Sequence, residues 1–77
     1  MAYQFETLEK GKKFPVHETF MEAWEDMFQY VKAGMDSGGM SWRALETAIW
    51  INVSDNPMYF YDARDHAINT YGWEKPS

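Results

Sequence analysis

The chain reads as a small α+β domain, an antiparallel sheet of three or four strands with two helices packed on one face, in the order strand, edge strand, long helix, hairpin, short helix. Three observations predict it. Apolar and polar residues alternate near the N-terminus, a helical apolar stripe fills the middle of the chain, and a run of turn formers divides two apolar segments in the second half. The 77 residues fit one domain, 1–77, and a chain of this length has little stability to spare. Aromatic residues make up 18% of it, enough to build a core around four tryptophans.

At the N-terminus Tyr3, Phe5 and Thr7 alternate with Gln4, Glu6 and Leu8, the period of a half-buried strand, and Lys10-Gly11-Lys12 follows as a turn. Phe14 to Val16 is readable as a short returning strand. Pro15 has no N–H to give to a ladder, so that strand belongs at an edge.

From His17 to Met35 the period becomes helical. Phe20, Trp24, Met27, Phe28, Val31 and Met35 share one arc, while Glu18, Glu22, Glu25, Asp26, Gln29 and Asp36 lie opposite. Glu18 and Glu22 fall in the first turns, where the positive end of the helix dipole favours carboxylates. Gly34 and then Ser37-Gly38-Gly39 end the helix, because glycine accepts the left-handed conformation of a C-terminal cap.

Trp42 to Asn52 carries two patterns. Trp42, Leu45 and Ile49 have helical spacing, whereas Leu45, Thr47, Ile49 and Ile51 alternate; the concentration of β-branched residues at the end favours a strand, with a helix over the first half as the alternative. Val53-Ser54-Asp55-Asn56-Pro57 then turns the chain into Met58-Tyr59-Phe60-Tyr61, making a hairpin. A turn near Asp55 sets Trp50 opposite Tyr59 and Ala48 opposite Tyr61 on one face, and Ile51 opposite Met58 and Ile49 opposite Phe60 on the other. Asp62 reads as the N-cap of a last helix, with Asp65 at its third position and Gly72 past its end at Tyr71. Trp73 is a large apolar residue expected to dock back from the tail.

Composition narrows the function. The net charge of −5 is uneven: residues 1–17 net +1, residues 18–40 net −4 and the remainder −2. Phosphate binding needs clustered Lys and Arg, so direct nucleic-acid binding is not expected. There is no cysteine, and His17-Glu18 lacks the second histidine of a zinc motif, so neither metal nor cofactor is expected. Gly38-Gly39 has neither the length nor the lysine of a phosphate loop, and no serine or histidine pattern resembles a catalytic triad. The expectation is a protein that is not an enzyme. Asn52-Val53-Ser54 matches a glycosylation sequon but reads as part of a turn, and without a signal-like leader or a long apolar run the expected location is cytoplasmic, away from membranes.

Two surfaces remain as candidate binding sites. Glu18, Glu22, Glu25, Asp26 and Asp36 form an acidic face that would dock a basic protein partner, against the plainer reading of a solvated helix surface. Trp50, Tyr59 and Tyr61, with Arg64 paired to Glu46, form an aromatic sheet face suited to a partner or a homodimer contact, unless other aromatics cover it. The function that follows is a non-catalytic interaction module: an adaptor, regulator or inhibitor. Its most concrete form is a phage- or plasmid-type inhibitor of a nucleic-acid-handling host complex. The alternatives are an oligomeric small-molecule-binding or enzymatic domain with a pocket at the subunit interface, and a structural subunit of a homo-oligomer.

Overall fold

The computed structural model describes residues 2–9, 14–54 and 56–76. Six elements follow one another: β1 (Tyr3–Thr7), α1 (Phe20–Asp36), α2 (Trp42–Thr47), β2 (Ile49–Val53), β3 (Asn56–Tyr59) and α3 (Phe60–Tyr71). The three strands form one antiparallel sheet in the order β1-β2-β3. The α+β architecture expected from the sequence is therefore present, with a third, short helix added.

Strand alternation decides the faces. In the register Phe5 lies beside Ile51, Thr7 beside Ile49, and Ile51 beside Met58. Phe5, Ile49 and Ile51 are buried and join one core with Phe20, Trp24, Met27, Phe28 and Val31 of α1, Leu45 of α2, and Phe60, Ala63 and Ala67 of α3. Helices thus cover one side of the sheet. The other side carries Glu6, Trp50 and Tyr59 in a row.

The hairpin register is the expected one, with Trp50 opposite Tyr59 and Ile51 opposite Met58. It stops earlier than expected. Phe60 and Tyr61 have already entered α3, so neither the Ile49–Phe60 nor the Ala48–Tyr61 pair forms. Ser54, at φ 47°, takes the left-handed conformation in the turn; Asp55 lies outside the described residues. The α3 N-cap is Tyr59 instead of Asp62, and it makes no side-chain capping bond; Asp62 sits inside the first turn, where it still complements the dipole.

The long helix begins at Phe20, three residues later than the apolar period suggests, because Thr19 caps it. The Thr19 hydroxyl accepts from the Glu22 backbone N–H at 3.2 Å and donates to the Glu22 carboxylate at 2.8 Å. His17 instead pairs with Tyr3: each backbone N–H bonds the other's carbonyl, at 2.7 and 2.8 Å. Residues 14–16 run beside β1 without becoming a strand, and the Gln4 side-chain amide donates to the Phe14 carbonyl at 2.6 Å. The expected Lys10-Gly11-Lys12 turn lies outside the described residues.

At its other end α1 passes through Gly34 and stops at Asp36. Gly38, at φ 76°, is the left-handed residue: its N–H bonds the Met35 carbonyl and that of Gly39 bonds the Gly34 carbonyl. Gly34 has another role. A Cβ there would meet the Met40 side chain at 2.9 Å, so the missing side chain lets the loop fold back against α1.

Residues 42–47 are helix, the alternative of the two sequence patterns. Ser41 caps α2 by accepting from the Ala44 N–H at 3.3 Å, and Leu45 is the one side chain of this single turn and a half that is buried. The strand then runs from Ile49. Gly72, at φ 69°, ends α3 as expected, and the Trp73 N–H bonds the Ala67 carbonyl. This reversal lays the Trp73 ring against Trp24 and Phe28, both at 5.0 Å. Trp24 is fully buried, and its indole N–H has no hydrogen-bond partner among the described residues.

Candidate functional site

The acidic face divides once its residues are placed. Glu22 belongs to the cap of α1, and with Asp26 it holds His17: Nε2 lies 2.5 Å from the Asp26 carboxylate and Nδ1 3.9 Å from that of Glu22. These two acids fasten the 14–17 segment to the helix. Glu18 precedes the helix instead of lying on it, and it is exposed together with Glu25. Asp36 is the last residue of α1, nearly three turns beyond Asp26.

The aromatic face divides as well. Trp50 and Tyr59 are neighbours on the outer side of the sheet, their rings 6.2 Å apart and edge to face, and the Trp50 indole donates to the Glu6 carboxylate at 3.2 Å. Tyr61 and Arg64 are not with them. Both stand on α3, where the Arg64 guanidinium lies 5.3 Å from the Tyr61 ring centre and 3.8 Å from the Asp65 carboxylate. The Arg64 side chain is 44% exposed and its carboxylate contact is the long one to Asp65, so the expected pairing with Glu46 does not occur. Trp50 and Tyr59 thus stand on the sheet, and Tyr61 and Arg64 on α3.

A different concavity stands out. Between the second half of α1, the start of α2, the middle of α3 and the tail runs an open groove of about 750 Å³. Phe28, Val31, Met35, Leu45, Phe60 and Trp73 supply its apolar lining. Trp42 stands at its side, 71% exposed, the most exposed large apolar residue among those described, and Ile68 is also largely in water. Around these lie Lys32, Asp36, Arg64, Asp65 and Lys75. Two of the walls are placed by local signals. Ser41 starts α2 and so points Leu45 inward while leaving Trp42 out; Gly72 reverses the chain and so brings Trp73 and Lys75 to the same place.

A smaller depression of about 400 Å³ opens beside the end of β1, between Leu8, Tyr30, Met40 and Ala44. Among the described residues no group of three or more His, Asp or Glu side chains is arranged to hold a metal ion. No described helix is long and apolar enough to cross a membrane.

The groove escapes a reading of the sequence because its walls come from four separated segments. Trp42 was the available signal: a tryptophan immediately after a capping serine, one turn before the inward-facing Leu45.

Comparison with known proteins gives no match to a family model, to a curated protein or to a solved structure.

Proposed function

We propose that this chain is a non-catalytic protein-interaction module, an adaptor, regulator or inhibitor, which holds its partner chiefly through the groove between α1, α2 and α3. The observation that carries this reading is Trp42, 71% exposed at the side of a groove that also shows Ile68 at its surface. A large ring left in water next to other apolar surface is the kind of patch that marks binding sites, and tryptophan is enriched among the residues that dominate binding energy. Of the acids outside the His17 contact, Asp36 lines the groove, while Glu18 and Glu25 support steering of a basic partner more than they support tight attachment.

A second contact surface is favoured by the row Glu6–Trp50–Tyr59 on the outer face of the sheet. Rings with polar tips suit a wet interface, including one between two copies of the chain.

Affinity capture with three variant proteins separates these surfaces: Trp42→Ser with Ile68→Ser for the groove, Trp50→Ala with Tyr59→Ala for the sheet, and Glu18→Gln with Glu25→Gln for the acids. Folding of each is checked by circular dichroism. Loss of the captured partners in the groove variant, with retention in the acid variant, is the expected result. If the groove variant returns the same partners at the same salt tolerance, the groove is not the site.

A further inference from the structure

We infer that the groove takes an amphipathic helical segment carrying carboxylates along its flanks, an inference that rests on the interaction-module reading. Shape comes first. The groove is railed by residues 28–36 of α1 and 60–68 of α3, each about 12 Å long at 1.5 Å per residue. That is a little over two turns, the length over which a docked helix presents anchors at i, i+3 or i+4, and i+7. Between the charged residues the lining is aliphatic and aromatic, as such anchors require.

Charge then selects the class of helix. Of the chain's seven Lys and Arg, Lys32, Arg64 and Lys75 line the groove, and Arg43 directly follows Trp42. Lys32 and Lys75 have no ion-pair partner among the described residues, and Arg64 has only the long, exposed contact with Asp65, which is worth little. With Asp36 and Asp65 also present, the lining nets +1 in a chain of −5. The long-range field of the chain is damped within about 8–10 Å at ordinary salt, so the local cations decide what lies in the groove.

The cations are carried by α1, α3 and the tail, one on each. Carboxylates spaced along both flanks of a helix meet such an arrangement.

The test uses the full chain and two synthetic peptides of about 15 residues. Both have Leu and Phe at i, i+3 and i+7; one carries Glu on its flanks and the other Lys. Binding is followed by calorimetry at low and high salt, with decanoate as a third probe. The acidic peptide is expected to bind at least about tenfold more tightly at low salt, the gap narrowing at high salt. Lys32→Glu with Lys75→Glu should reverse the preference, and Trp42→Ser should weaken both peptides. Equal affinity for the two peptides, or no response to the double charge reversal, overturns the charge selection and leaves the groove as an interaction site. Binding of decanoate alone overturns the helical occupant. If sedimentation shows that the chain pairs with itself and that Trp42→Ser makes it monomeric, the occupant is a second copy and the inference fails. Failure of the interaction-module reading itself looks different: partners captured unchanged by Trp42→Ser with Ile68→Ser.

Discussion

Among the described glycines, Gly38 and Gly72 are the two whose backbone an L side chain would strain, at φ 76° and 69°, and neither has a neighbour within reach of an added Cβ. The cost of substitution there is conformational alone. Gly38→Ala is expected to lower stability by about 1 kcal/mol, and Gly38→Asn by less, since asparagine tolerates the left-handed region. Urea denaturation checks this through a lower midpoint at unchanged slope. Gly34 differs, because its missing Cβ is filled by Met40 and a substituent would push against a side chain instead of against its own backbone. The sequence could not separate these roles: Gly34, Gly38 and Gly39 all look like helix terminators until the fold shows that α1 continues two residues beyond the first of them. Histidines were equally opaque. His17 is fixed by Asp26 and Tyr3, and His66 lies edge to face against Phe20 at 4.7 Å, so both serve packing between segments.

Capping sets where the helices start, and α1 shows the effect most directly. Thr19 and Glu22 bond each other at the N-terminus, and Thr19→Ala is expected to cost about 1 kcal/mol while Thr19→Ser retains most of it, again read from urea midpoints. The Thr-x-x-Glu pattern was visible in the chain, and missing it moved the predicted start to His17. For α2 the difficulty was of another kind. A six-residue helix has too few turns to build a periodic signal, so the alternation from Leu45 to Ile51 outweighed it; the Ser41 cap was the remaining local clue. The hairpin was legible down to its register, because alternation and turn formers agree there and a slip of one residue would put Trp50 and Asn52 into the core. The groove was not legible at this scale, since no single element contains it.

At the scale of the molecule, the core is completed by residues far apart in sequence, with Phe5 and Phe60 in one cluster and Trp73 closing over Trp24 and Phe28. Trp73→Ala removes a half-buried ring and is expected to cost about 2 kcal/mol, below the roughly 3–5 kcal/mol of a fully buried one. For a domain of this size that lowers the melting temperature by about 10 °C, which a thermal unfolding curve would register. Because Trp73 also forms part of the groove lining, its loss would alter the site and the core together, whereas Trp42 belongs to the site alone. The two margins of the sheet carry a separate consequence. Residues 14–17 bond along the outer side of β1 through Tyr3, Gln4 and His17, and Pro57 removes a donor from β3. A fourth strand, whether from a partner or from another copy, would find Tyr3 already paired on one margin and one donor fewer on the other, interruptions of the kind that resist edge-to-edge aggregation.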